Sequence, residues 1–177
     1  MAAVALLDGA AAADAGLLAA LGDVVNEAYA RGEAELWREG AQRISEDGLR
    51  ALIASGQLAA AREDGRVVGC VRVTSLDPRT GELGLLAVAG ERSGSGVGRA
   101  LMAFAHDLAR GRGHKAMRLT LLVPKDGSHP FKVRLGDWYR RQGYRVVGRA
   151  DFATTHPEPA RLLVAPCDLV TFERALG

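Results

Sequence analysis

The sequence predicts an α/β fold in which a mixed sheet carries helices on both faces, and three observations lead there. Apolar segments joined by turn chemistry form a meander over residues 58–88, two amphipathic stretches precede it, and strand-like and helix-like segments alternate after it. The size agrees. At 177 residues, 48% hydrophobic and 25% charged, the chain suits one globular domain over 1–177. Such a chain buries roughly 70% of its unfolded surface, so it needs neither disulfide nor metal to hold a core, and no metal is expected.

From Asp14 onward, Leu17, Leu21, Val24 and Ala28 recur at helical spacing among polar residues, which predicts a first helix. Ser45 followed by Glu46 and Asp47 reads as a cap with acids in the first turn of a second helix, ending near Gly56. Leu58 to Arg62 and Val67 to Thr74 flank Asp64-Gly65, a hairpin turn pair whose residues both require positive φ. Glu82 to Val88 continues the meander after Asp77-Pro78-Arg79-Thr80-Gly81. Val97, Leu101, Phe104, Ala105 and Leu108 line one face of a helix that Gly111 and Gly113 end, and Met117 to Val123 is a buried strand after it. Phe131 to Gln142 reads as a helix stopped by Gly143, Tyr144 to Phe152 as a strand, and Cys167 to Glu173 as the last strand.

Charge and cysteine usage narrow the function. A formal net charge of +2, with bases interleaved among acids, does not supply a face for nucleic acid. Cys70 and Cys167 lie in apolar runs without C-x-x-C spacing and read as buried, reduced thiols. The Ala- and Leu-rich start through Leu21 has no preceding Lys or Arg and carries Asp8 and Asp14, so it reads as neither signal peptide nor membrane span. A cytoplasmic protein with no membrane partner is expected.

Glycine is in excess, with 22 residues, about 12% against the usual ~7%. Gly65 and Gly81 read as turn residues, and Gly111 and Gly113 as a helix end. Ser93-Gly94-Ser95-Gly96-Val97-Gly98-Arg99 is different, because it joins a strand to a helix start, where unpaired N–H groups suit a phosphate or pyrophosphate. The spacing fits neither common nucleotide motif. A dinucleotide fingerprint needs a third glycine where Arg99 stands, and a P-loop needs Gly-Lys-Ser/Thr where Gly98-Arg99-Ala100 stands.

The strand Glu82-Leu83-Gly84-Leu85-Leu86-Ala87-Val88, the loop S-G-S-G-V-G-R-A-L and the element Asp137-Trp138-Tyr139-Arg140-Arg141-Gln142-Gly143-Tyr144 together resemble the GNAT superfamily of acyl-CoA N-acyltransferases. The resemblance runs from about Asp14 to the C-terminus. It implies a GNAT-like, mostly antiparallel twisted sheet with one splayed parallel strand pair, and acetyl-CoA as co-substrate. It implies that Leu86, Ala87 and Val88 offer backbone groups to the pantetheine arm and that Ser93, Gly94, Ser95, Gly96, Val97, Gly98 and Arg99 wrap the pyrophosphate. Two positions depart from the family pattern. Ser93 stands at the usual Gln or Arg, beside Arg92, and Lys132 stands where many members carry an Asn, from which a lysine would reach toward a phosphate.

Acyl transfer to an amine needs a base for the amine proton and an acid for the leaving thiolate. By the same resemblance Glu82 is the base, through water, and Tyr139 the acid; His129 is an alternative base at neutral pH. Tyr144 reads as core or cofactor-stacking. The resemblance implies an acceptor pocket shaped by the segment linking the first two helices, here Asn26, Tyr29, Glu33, Glu35 and Trp37, with Glu33 or Glu35 holding a protonated amine between Tyr29 and Trp37, and His129 near where the acceptor enters. The resemblance therefore implies an acetyl-CoA-dependent N-acetyltransferase acting on a primary amine of a small molecule. A protein N-terminus or lysine as acceptor, a non-catalytic acyl-CoA-binding module and a homodimer stay open.

Overall fold

The Ala-rich start of the chain forms an edge strand. In the computed structural model, which describes residues 2–177, β1 (Ala3–Leu6) lies antiparallel to β2 (Leu58–Glu63), an element absent from the sequence-based expectation. β3 (Arg66–Asp77) and β4 (Thr80–Val88) complete the meander, and β5 (Ala116–Pro124), β6 (Arg145–Asp151) and β7 (Cys167–Ala175) extend one sheet in the order β1-β2-β3-β4-β5-β7-β6. Every neighbouring pair is antiparallel except β4 with β5, so the sheet is mixed as predicted. The β2–β3 turn uses Asp64 and Gly65, both at positive φ, as their sequence required. Gly81 is not a turn residue. It sits inside β4, where an added Cβ would come within 3.0 Å of the His114 ring and 3.1 Å of the Met117 sulfur.

The helices cover both faces. α1 (Ala15–Gly32) and α2 (Glu46–Ala54) pack Leu17, Leu21, Val25, Leu49 and Ile53 against Cys70, Leu85 and Ala87 on one side. α3 (Val97–Gly111) packs Val97, Leu101 and Ala105 against Val71, Val73, Leu83 and Leu119 on the other, where α4 (Pro130–Arg141) adds Tyr139. Each fully buried leucine in these layers is worth roughly 1.5–3 kcal/mol of transfer free energy. Both cysteines are buried and unbridged. Among the described residues no helix is long and apolar enough to cross a membrane.

The expected strand from Tyr144 to Phe152 stops one residue short. The Asp151 carboxylate accepts from the Ala153 N–H at 2.8 Å, which caps a short α5 (Phe152–Thr155), followed by α6 (Pro157–Ala160). This excursion returns to the loop after α1. Trp37 bridges Leu163, and Arg38 and Val164 donate their N–H groups to Leu162 and Leu36 at 2.8 and 2.9 Å. Leu36, Leu122, Phe152, Leu163 and Cys167 form a third apolar cluster beneath that junction.

One inserted residue opens the sheet. Between Cys70 and Arg72 the β3–β4 register advances two residues on β3 and three on β4, from Ala87 back to Gly84. The extra residue is accommodated at Leu85, which takes φ 47°. A bulge reverses side-chain alternation and raises local twist. Leu83, Leu86 and Val88 consequently face the α3 side while Leu85 and Ala87 face α1. Parallel pairing of β4 with β5 ends at Glu82 with Arg118, and beyond it the strands diverge.

Candidate active site

The divergence of β4 and β5 is filled by a cleft of about 570 Å³. One side of it belongs to the glycine loop. Gly94 and Gly96 take φ 80° and 95°, and Gly96 is the N-cap of α3 with no side chain capping the helix. The first intrahelical bond is Ala100 N–H to Gly96 C=O at 3.0 Å, which leaves the N–H groups of Val97, Gly98 and Arg99 free of intrahelical acceptors. By contrast α1, α2 and α5 carry side-chain caps from Asp14, Ser45 and Asp151. An uncapped helix start carries about half a positive charge and suits an anion.

Ser93, Gly94, Gly96, Gly98 and Arg99 line the cleft, as do Leu86 and Val88 of β4. Ser95, Val97 and Ala87 do not. The Ser95 hydroxyl braces the loop by donating to the Arg92 carbonyl at 2.6 Å, and Val97 and Ala87 are buried on opposite faces of the sheet. Arg92, beside the departed motif position, is held by Glu63 at 2.8 Å.

Tyr139 lies at the heart of the cleft, between Trp138, Tyr144 and Phe172 rings whose centroids stand 5.4, 6.2 and 5.6 Å away. Burial pushes its phenol well above the usual range, with smaller contributions from Tyr29, Tyr144 and Glu33, and no described residue takes a hydrogen bond from it. It is thus a protonated donor without a protein acceptor. Tyr144 is core. Its hydroxyl pairs with His106 Nε2 at 2.7 Å, and burial, aided by Arg174, holds that imidazole down to about 4.

Glu82 is not among the residues lining the cleft. It stands at the last paired position before β4 and β5 part, and its carboxylate is bound by Arg72. His129 is also outside the lining; its Nε2 donates to the Ala34 carbonyl at 2.9 Å and its Nδ1 is enclosed without a partner. That geometry ties the ring to the backbone and leaves the enclosed nitrogen no acceptor amine to meet.

The acceptor end brings Tyr29, Glu33 and Trp37 together as the sequence suggested, but with a different charge pattern. Glu33 is 8% exposed and Lys132 5%, and Lys132 Nζ donates to Glu33 Oε1 at 2.7 Å. The other carboxylate oxygen accepts from the Trp37 indole N–H. Each Glu33 oxygen thus already has a protein donor and the Glu33 charge is balanced by Lys132, so Glu33 is not a free anion for a substrate ammonium, and Lys132 is not free for a phosphate. Burial draws the Lys132 ammonium downward, opposed by Glu33. Glu35 is exposed at φ 69°, and Asn26 is structural, bonding the backbone of Arg43 and Ile44. Sequence reading missed Arg43, Phe152 and His156, which also line the cleft. No local pattern marks them, because their role comes from the return of the 152–166 excursion and the loop after α1.

A sheet parted around a cleft, with an uncapped helix start on one side and a protonated tyrosine within, defines a site of the class that takes an anionic ligand. The family model described as Acetyltransferase (GNAT) family matches residues 23–144, and the chain belongs to that family. The solved structures it resembles share its fold at low identity. An aminoglycoside 6′-N-acetyltransferase complexed with coenzyme A superposes with a TM-score of 0.74 at 15% identity, covering 99% of this chain and 97% of that one. The yncA protein of Salmonella typhimurium, solved with its cofactor acetyl-CoA, gives 0.68 at 18% over 100% and 95%. The IAA acetyltransferase from Bacillus cereus gives 0.64 at 17% over 99% of both chains. Comparison with curated protein sequences gives no significant match.

Proposed function

We propose that the protein transfers an acetyl group from acetyl-CoA to the primary amine of a small molecule. The observation that carries this reading is the uncapped α3 start opening, with Gly94 and Gly96 at positive φ, onto the cleft that holds Tyr139. The residues fit the donor. Free N–H groups at Val97–Arg99 and the Arg99 guanidinium suit the pyrophosphate, and the edge of β4 at Leu86–Val88, which β5 does not pair and where, among the described residues, the Val88 carbonyl accepts only from Arg31 at 3.3 Å, suits the amide-bearing arm. Acetyl-CoA supplies an activated thioester and a thiolate leaving group.

The chain's own part is positioning and proton management. Tyr139 gives its phenolic proton to the departing sulfur, a role supported by its place in the cleft lining and its lack of a protein acceptor, while burial keeps the phenol protonated until then. The proton shed by the amine travels through water to Glu82, since that carboxylate stands at the apex of the divergence and outside the cleft lining. The junction of Trp37 with Leu163 walls the acceptor end, which favours a small molecule over a protein tail. Thiol release from acetyl-CoA with a broad amine panel tests the reading. Acceleration by at least one amine is expected; acetyl-CoA binding in calorimetry with no amine-dependent release would make the chain a binding module instead.

A further inference from the structure

We propose that the acceptor amine also carries a carboxylate, which Arg43 receives, so that the substrate is of the amino-acid type with an apolar substituent. This deepens the acyl-transfer reading and rests on it. Charge pairing in the cleft is the starting point. Glu33 is the sole carboxylate among the lining residues, its charge is balanced by Lys132, and each of its oxygens already accepts from Lys132 or Trp37. A second ammonium on the substrate would find no uncompensated carboxylate in the lining and would meet the charge of Arg43 instead.

The lining cations divide cleanly. Arg31 is bound to Glu27, Arg92 to Glu63 and Lys132 to Glu33, whereas Arg43 and Arg99 have no carboxylate within 4.0 Å among the described residues. Arg99 sits in the first turn of α3 with the phosphate-seeking amides. Arg43 belongs to the loop between α1 and α2, at the other recognition element of the cleft.

Arg43 is also held ready. Its N–H and that of Ile44 donate to Asn26 Oδ1 at 2.8 and 3.2 Å, and Asn26 Nδ2 returns a bond to the Ile44 carbonyl at 3.1 Å. Its guanidinium lies over the Tyr29 ring at 4.7 Å. The guanidinium also hydrogen-bonds the Tyr29 hydroxyl, and with no carboxylate partner among the described residues it keeps N–H donors for a substrate carboxylate. Trp37, Phe152, Leu122 and Leu169 supply an apolar wall in the same cleft.

The test titrates the CoA-saturated protein with phenylalanine against phenethylamine and leucine against isopentylamine, by calorimetry. The carboxylate-bearing member of each pair is expected to bind about 10- to 100-fold tighter, the range of a hydrogen bond between charged groups. Arg43→Gln should remove the preference, Arg43→Lys should restore part of it, and affinity for CoA should not change. Equal affinities, no binding by any member, a preference that survives Arg43→Gln, or weakened CoA binding in that variant would each overturn the proposal. Thiol release on the same pairs separates the two readings. A binding preference without acetyl transfer leaves the Arg43 site standing and overturns acyl transfer, whereas transfer to the decarboxylated amines alone overturns the Arg43 site.

Discussion

Replacing Lys132 with Met strands a buried carboxylate. Lys132 and Glu33 are almost wholly enclosed and 2.7 Å apart, so loss of the ammonium leaves Glu33 with the Trp37 indole as its remaining donor. Breaking one partner of such a pair costs about 3–5 kcal/mol, whereas removing both charges costs far less because no uncompensated ion remains. For a chain of this size each kcal/mol moves the midpoint by about 2–4 °C, so Lys132→Met should lower Tm by roughly 6–20 °C. The double variant Glu33→Gln/Lys132→Met should recover much of that loss, since Gln can still accept from Trp37. Reversible thermal or urea unfolding of the wild type, both singles and the double closes a double-mutant cycle with a coupling of at least ~2 kcal/mol. A Lys132→Met loss below about 1 kcal/mol, or strict additivity, would mean that the pair behaves as a solvated surface bridge, and the reasoning about the acceptor end would fall with it.

Three further outcomes are expected. Tyr139→Phe should lower kcat by about 10²- to 10⁴-fold, the usual worth of a general acid, with acetyl-CoA affinity in calorimetry unchanged; an unaltered kcat at saturation would remove Tyr139 as acid. Glu82→Gln should abolish the rise of kcat/KM with pH on the acidic side of the profile, because a base must be ionised to act; a profile identical to wild type would assign the proton to water alone. His106 titrates at about 4 in the folded chain against its ordinary 6.5, so the unfolded chain binds more protons between those values. About 3 kcal/mol of stability is thus present above pH ~6.5 and lost as pH falls toward ~4. Urea unfolding across that window should show a shallower pH slope in His106→Gln, and an equal slope would place the titration elsewhere.

What the sequence disclosed was local. Asp64-Gly65 announced its hairpin, Ser45 its helix cap, and the glycine loop its uncapped helix start, because each depends on neighbours within a few residues. The first strand was hidden because an Ala-rich segment carries no strand periodicity, and its partner β2 lies more than fifty residues away. Acceptor-end charges were hidden for a related reason. Glu33 reads as an exposed helix-end acid until Lys132, 99 positions later, is seen to neutralise it. Glu82 kept its place on β4, but the direction its side chain takes depends on Arg72 and on where pairing with β5 ends.

The bulge at Leu85 has a mechanical meaning as well. A backbone position that disfavours an L side chain stores strain of about 1–3 kcal/mol, and here it is retained beside the cleft, balanced by the burial of Leu85. Because β4 and β5 share only the pairs Thr80–Ala116, Gly81–Met117 and Glu82–Arg118, the meander half and the β5–β7 half of the sheet meet at a short hinge. A molecule lying in the gap touches both halves and would act as a strut between them. Occupancy should therefore slow amide exchange on both diverging edges together, including positions on β5 that the molecule never reaches.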